Sequence, residues 1–214
     1  MAVFICLFSY YNILMPVALF DYYAALFAKH GITLYMVGGS ARDYLLGLEV
    51  RDFDFVSKAT PEQTLSILGE GDDTFARFGT ISLRKNGASI DFMTFREEGD
   101  YEDSRHPSYI KFVEDIEIDS NRRDFTINAL YIDPEYKVLD FHGGLTDLEN
   151  KVIRFIGDPE KRIKEDPLRI LRAKRFSKRL GFTIDPLSEK AMNDLALLLG
   201  KLNPEKVMME SKKE

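Results

Sequence analysis

Gly38-Gly39-Ser40-Ala41-Arg42-Asp43, followed at a short distance by Asp52-Phe53-Asp54-Phe55-Val56, is the stretch that decides what this chain folds into and what chemistry it can carry. The apolar run Leu34-Tyr35-Met36-Val37 before it reads as a strand, so the two glycines make the turn at that strand's end. A backbone without Cβ atoms can close its N–H groups on a phosphate there. Side chains of a strand alternate between its faces, so Asp52 and Asp54 share one face while Phe53 and Phe55 take the other. Paired carboxylates beside a phosphate turn suit Mg²⁺, a hard ion that takes oxygen ligands and shares them with nucleotide phosphates. The combination points to nucleotidyl transfer. An Asp-x-Asp pair alone is more often two solvated acids, and the glycine turn before it is what gives it weight.

At 214 residues the chain can bury one good core or two small domains. It is 45% hydrophobic and 30% charged with no low-complexity tract, an ordinary composition for a globular protein. Its one cysteine, Cys6, excludes an internal disulfide framework and a cysteine-rich zinc site, which fits a reducing cytoplasm. The net charge of −6 argues against a general polyanion binder. Between Lys161 and Arg179, however, nine basic residues meet only Glu165 and Asp166. Such a stripe suits one defined nucleotide or nucleic-acid contact, or else a solvated helix face. The apolar first 28 residues lack the basic leader and cleavage site of a signal peptide. Asn12, Pro16 and Asp21 interrupt them as a membrane span, so no membrane partner is expected. Pro16 is placed to open a helix reaching to about Lys29, which leaves residues 1–14 as an extension or a start-site artefact.

Along the chain, Ala41–Leu46 reads as a short helix stopped by Gly47. Thr60-Pro61-Glu62 supplies an N-cap, a first-turn proline and an acid for a helix to about Leu68. Strand-like runs at 80–84 and 88–95 flank Asn86-Gly87, a hairpin turn signal, and place Asp91 inward between Ile90 and Phe92. Residues 97–109 are polar and turn-rich and read as a loop; 122–132 and 137–141 return to helix or strand. From Asp158 the pattern is helical, over 159–164, 166–180 and 186–199, with Gly157, Gly181 and Gly200 as breaks. The expected architecture is therefore α+β: an N-terminal apolar extension and helix (1–30), a mixed or antiparallel sheet with helices (31–155), and an all-helical segment (156–214).

In a two-metal scheme Asp52 and Asp54 bridge the ions, and a third carboxylate from a neighbouring strand, Asp91, completes the set. Asp91 can equally be a buried acid paired to Arg96 or Arg84. Arg42 is placed to grip phosphate bidentately, or to pair with Asp43 or Asp52. Arg122-Arg123-Asp124-Phe125-Thr126 puts two cations at a helix start with Asp124 and Thr126 as caps, where ribose or triphosphate can be held; a plain charged helix entry reads the same. Asp166 caps a helix whose first position is Pro167, and Arg169 lies three residues on, on the same surface. A carboxylate acceptor beside a guanidinium donor matches the Watson–Crick edges of cytosine and adenine and meets uracil and guanine with like groups. A mismatched polar edge must be desolvated unpaired, so the pair can choose C or A without a nucleic-acid template. The plainer alternative is an intrahelical salt bridge. Arg172 and Arg175 continue at three-residue steps and can follow a triphosphate. His30, His106 and His142 have no metal-ligand spacing, and no P-loop is present.

Taken together, Gly38–Asp43, Asp52–Asp54, Arg122–Ala129 and Glu165-Asp166-Pro167-Leu168-Arg169 with Leu171-Arg172-Ala173 and Arg175-Phe176 resemble the class II tRNA nucleotidyltransferase and bacterial poly(A) polymerase family, within the polymerase β-like superfamily. Phe78-Gly79-Thr80, Thr94-Phe95-Arg96 and Tyr101–Pro107 support the match, which runs in order from about residue 15 to the end. Such enzymes rebuild the 3′-CCA end of tRNA from CTP and ATP. The resemblance implies a polymerase β-like head carrying Mg²⁺ on Asp52 and Asp54, and a helical neck whose Asp166 and Arg169 choose the base. It implies nucleotide contacts from Gly39, Arg42, Arg123, Arg172 and Arg175, and likens loop 97–109 to the flexible element that helps switch from C to A addition. Ala41 stands where the family usually has Val, and the chain stops at 214 where relatives continue into tRNA-gripping domains, which makes a truncated form the expectation. Partners implied are CTP, ATP and the tRNA 3′ end. The alternatives are a poly(A) polymerase and an inactive nucleotide- or RNA-binding remnant.

Overall fold

The computed structural model describes residues 17–85, 87–99 and 108–212, in which the chain divides into two units. The first comprises the chain to Glu97 together with Lys111–Ser120 and Leu130–Asp140, and the second comprises Glu98–Ile110, Asn121–Ala129 and Phe141 onward. Asn86 of the expected hairpin turn, residues 1–14 and residues 100–107 of the expected loop lie outside the described residues.

The first unit starts with helix α1 (17–28). Strand β1 (Tyr35–Met36), helix α2 (Gly38–Leu45), strand β2 (Asp52–Ser57), helix α3 (Pro61–Leu68), and strands β3 (Thr80–Lys85) and β4 (Ala88–Thr94) follow. Strands β5 (Arg96–Glu98) and β6 (Ile110–Phe112) form a separate two-stranded ribbon. The polar segment expected as a loop over 97–109 thus begins within β5 and is followed by β6. After α4 (Ile116–Asn121), strands β7 (Leu130–Ile132) and β8 (Val138–Asp140) complete a six-stranded sheet of order β3-β4-β2-β1-β7-β8. The β2–β4 pair is parallel and the other pairs are antiparallel, which makes the sheet mixed.

One face of this sheet is aromatic. Phe53, Phe55, Ile90 and Phe92 point from β2 and β4 into a core with Phe20, Tyr23 and Phe27 of α1, where Phe27 stacks on Phe92 and Tyr23 meets it edge-on. Burying aromatic rings of this size supplies much of the apolar stabilisation of a small domain. Asp91 was expected inward, but Ile90 and Phe92 fill the core and Asp91 lies on the opposite face, as strand alternation requires. The β7–β8 turn reaches back to α1: the Tyr136 hydroxyl donates to Asp21 at 2.7 Å from a residue with φ of 62°. Burial and this carboxylate raise the Tyr136 pKa.

Helix α3 has the predicted start, with Thr60 as N-cap, Pro61 in the first turn and Gln63 completing a reciprocal capping box. Helix α2 differs from expectation. It begins at Gly38 instead of Ala41, so the glycine turn forms the helix's first residues.

In the second unit a short 3₁₀ turn (Thr126–Asn128) and helix α5 (Gly144–Glu149) precede strand β9 (Val152–Ile153), helices α6 (Pro159–Glu165) and α7 (Leu168–Leu180), strand β10 (Thr183–Ile184) and helix α8 (Pro186–Asp194). A 3₁₀ segment (Ala196–Lys201) and helix α9 (Pro204–Lys212) follow. The helical segment therefore contains one short strand, β10, which pairs in parallel with β9. Phe125, Phe155 and Phe176 meet at the centre of this unit.

A Cβ at Gly38, whose φ is +67°, would sit 2.9 Å from Asp54 Oδ2, whereas one at Gly47, with the same φ, would meet nothing within 4 Å. Gly38→Ala is expected to cost about 2–3 kcal/mol and Gly47→Ala about 1 kcal/mol. Urea unfolding followed by circular dichroism reads both, and equal losses would refute the steric assignment.

Candidate active site

Five of the residues picked out from sequence are gathered in the first unit. Asp54 of β2 lies in register with Asp91 of the parallel strand β4, and Asp52 lies two residues earlier on the same face. The Gly39 N–H donates to Asp54 Oδ2 at 3.2 Å, which orients that carboxylate at the start of α2. Asp91 accepts from the Ser82 hydroxyl at 2.6 Å, a partner on β3 and neither of the arginines considered from sequence. Neutral donors, a backbone amide and a serine hydroxyl, thus orient the Asp54 and Asp91 carboxylates. Ser40 links the strand to the turn: its hydroxyl donates to the Asp52 carbonyl at 2.9 Å and accepts the Asp54 N–H at 2.6 Å. Arg42 is buried and forms an ion pair with Asp43 at 2.7 Å, one of the two partners weighed for it.

Oxygen donors from three acids are the donor set that a hard divalent cation takes. Among the described residues no cluster of three such groups is already closed around a metal position. The donor chemistry fits the ion, which would have to draw the carboxylates together.

The other five residues lie in the second unit. Arg122 and Arg123 follow α4 and do not open a helix. Arg122 pairs with Glu98, and the carbonyls of both Arg122 and Arg123 accept from Arg162 Nη2. Asp124 is an ion-pair partner, not a simple cap: it accepts from Arg172 Nη2 at 2.6 Å and Nε at 2.8 Å, and from Asn128 at 3.1 Å. Thr126 donates to Asp147, which Arg154 joins to Asp185, the N-cap of α8. Asp166 caps α7 by accepting the Leu168 N–H at 3.0 Å. Arg169 is buried and donates to Glu165 at 2.7 Å, and Arg162 donates to the same oxygen at 2.7 Å. Arg175 pairs with Glu210 of α9 at 3.0 Å.

The basic stripe thus separates into two populations. Lys161, Lys164, Lys174, Lys178 and Arg179 are solvent-exposed, while Arg162 and Arg169 are buried and Arg172 and Arg175 half-buried against acids. Burial would raise the Asp124 carboxyl, but the Arg172 guanidinium and the Asn128 amide outweigh it and hold its pKa at about 2. Burial pushes the Arg175 guanidinium down, with Glu210 opposing.

The fold has counterparts in known proteins. A family model described as the poly A polymerase head domain matches residues 34–154, more than half of the chain. The chain belongs to this family. It is 42% identical over 180 residues to a CCA-adding enzyme of Lactobacillus helveticus, and 44% identical over 183 residues to one of Leuconostoc mesenteroides. These alignments cover 84% and 86% of this chain but 45% and 46% of the relatives, so the chain spans under half the length of the curated proteins it matches. The crystal structure of the Bacillus stearothermophilus CCA-adding enzyme in complex with CTP superposes with a TM-score of 0.82 at 34% identity, over 91% of this chain and 47% of that one. A CCA-adding enzyme solved with ATP gives 0.72 at 30% identity, over 90% and 45%. The poly(A) polymerase head match holds Gly39, Arg42, Asp52, Asp54, Asp91 and Arg123 within its bounds.

Sequence reasoning missed Ser40, Ser82, Glu165 and Asp124 as partners. Glu165 stands four residues before Arg169, a helical ion-pair spacing that was legible. The pairing of Asp124 with Arg172, 48 residues apart, had no local signal.

A carboxyl held low in the folded state stabilises fully above its unfolded pKa of about 3.9 and loses that contribution as pH falls toward its folded value. Asp124→Asn should therefore lower stability at neutral pH by on the order of 2 kcal/mol and flatten the acid-induced loss between about pH 4 and pH 2. Thermal unfolding across pH checks both, and an unchanged acid limb would remove Asp124 as its source.

Proposed function

We propose that this chain is the catalytic part of a template-independent tRNA nucleotidyltransferase that adds CMP and AMP from CTP and ATP to the 3′-CCA end. The observation that carries this is the shared face of Asp52, Asp54 and Asp91 beside the glycine-opened start of α2. The CCA-adding enzymes to which the chain is similar, two of them solved with CTP and with ATP, support the choice of substrates. A cytoplasmic setting follows from tRNA as substrate, and among the described residues no helix is long and apolar enough to cross a membrane.

In the proposed reaction the RNA 3′-hydroxyl attacks the α-phosphorus of the nucleotide, a new phosphodiester forms, and the α–β bridging bond breaks to release pyrophosphate. Asp52 and Asp54, with Asp91, would hold magnesium, which when bound lowers the pKa of the attacking hydroxyl and neutralises charge on the leaving pyrophosphate. Gly39 keeps Asp54 aimed, and Ser82 does the same for Asp91. Asp166 and Arg169 choose the base through the acceptor–donor order that cytosine and adenine share. The Glu165 carboxylate fixes the Arg169 guanidinium, so the donor is presented without a large ordering cost. Arg42, Arg123, Arg172 and Arg175 are assigned to the triphosphate and sugar. For Arg172, binding would mean sharing its guanidinium between substrate and Asp124.

The deciding experiment supplies labelled CTP and ATP with Mg²⁺ to a tRNA minihelix ending at the discriminator base. Addition of C and then A is expected; addition of A alone would make the protein a poly(A) polymerase, and no addition would make it a binding remnant. Asp52→Ala is expected to abolish incorporation, by at least about a thousandfold, while leaving CTP binding measurable by calorimetry. Asp166→Ala is expected to relax selection, and a retained preference for C and A over U and G would remove the side-chain template.

A further inference from the structure

We infer that Arg84 is a binding site for a phosphodiester of the RNA acceptor strand, placed beside the acid face on the outermost strand of the sheet; this rests on the nucleotidyl-transfer reading. Strand β3 is the outermost of the six strands, bridged on its outer side only at Ser82 by Asp72 among the described residues, and its residues Thr80, Ser82 and Arg84 alternate with the buried Ile81 and Leu83. Arg84 therefore projects on the same face as Asp91. Register fixes its position further. Arg84 pairs with Ser89, and Ser89 pairs with Asp52, so the three form one row across β3, β4 and β2. Ser82, Asp91 and Asp54 form the adjacent row. Two strand spacings place the Arg84 backbone about 10 Å from that of Asp52.

Electrostatics make a cation here consequential. The face carries three carboxylates on a chain of net charge −6, and both repel an RNA backbone. Every other described arginine of this unit is engaged. Arg42 holds Asp43, Arg51 holds Glu49, Arg77 lies over the Phe78 ring, and Arg96 donates to the Phe78 carbonyl. Arg84 alone among them is exposed with no ion-pair or ring partner among the described residues. Its neighbour Lys85 points to the other face and lies 5.4 Å from the Tyr22 ring. A guanidinium binds a phosphodiester through two parallel N–H donors. The Ser89 hydroxyl lies between it and Asp52, where it can donate to the same phosphate. A strand whose 3′-hydroxyl sits at the acids carries its nearest backbone phosphate one nucleotide back. Arg84 is placed to receive that phosphate from the outermost-strand side. The site reads backbone and not base, so it suits an acceptor that must be held at each successive addition.

The test uses the whole chain and a fluorescently labelled minihelix in anisotropy titrations across a salt series, with CTP affinity measured in parallel by calorimetry. Arg84→Gln is expected to weaken RNA binding about five- to tenfold and to reduce the slope of log affinity against log salt by about 0.7–0.9, leaving CTP affinity unchanged. Arg84→Lys should restore most of the affinity, and Arg51→Gln, which removes an arginine already paired, should change little. RNA affinity and salt slope in Arg84→Gln equal to those of the unaltered chain would overturn the inference, as would absence of RNA binding by the unaltered chain. Failure of the unaltered chain to bind CTP while Arg84 still controls RNA affinity would instead overturn nucleotidyl transfer and support the phosphodiester site.

Discussion

The hydrogen bond from the Gly39 amide to the Asp54 carboxylate is the constraint around which the first unit is arranged. It can form only because helix α2 starts against strand β2 with no side chain between them, and the Gly38 position leaves no room for one. Ser40 secures the same junction from below, bridging the carbonyl of one acid and the amide of the next. The distance between the turn and the two carboxylates is therefore set by backbone, which moves less than side chains do. A site meant to receive charge benefits from donors fixed before the charge arrives, because little reorganisation is then left for the reaction itself.

The second unit solves a different problem. It carries a concentration of arginines that would repel one another in a nonpolar interior, and it buries several by giving each an acid or a carbonyl. Breaking such a partnership leaves a desolvated charge, which costs more than an exposed pair is worth. Glu165 shows the economy of the arrangement, since one carboxylate oxygen orients two guanidinium groups. Each ion pair restricts the rotamers open to its arginine, so less ordering is left for a later contact to impose.

Much of this was legible in the order of residues. The Asp-x-Asp strand, the capped helix at Thr60, the hairpin flanking Gly87 and the helix after Asp166 are written in local periodicity and capping chemistry, which require no knowledge of distant partners. Asp91 was recognised as a candidate but put on the wrong face, although the same alternation used for Asp52 and Asp54 would have placed it correctly. The start of α2 was set too late because glycines are read as breakers, and here a left-handed Gly38 opens the helix. Charge partners were the hardest to foresee. Asp124 with Arg172 and Arg175 with Glu210 join positions far apart in sequence, and only tertiary packing selects among several available acids.

The central sheet has its strands out of sequence order, and this matters while the protein is being made. Strand β1 takes β2 on one side early, but its other side is filled by β7, whose residues follow almost a hundred positions later. The turn that ties back to α1 through Tyr136 and Asp21 arrives at the same stage. During synthesis on the ribosome, the aromatic layer can gather as soon as β4 has emerged, yet β1 retains a bare edge until about residue 132 is outside the exit tunnel. A bare edge is a surface on which strands of other chains pair. Its shortness, two residues, keeps that hazard small throughout the interval.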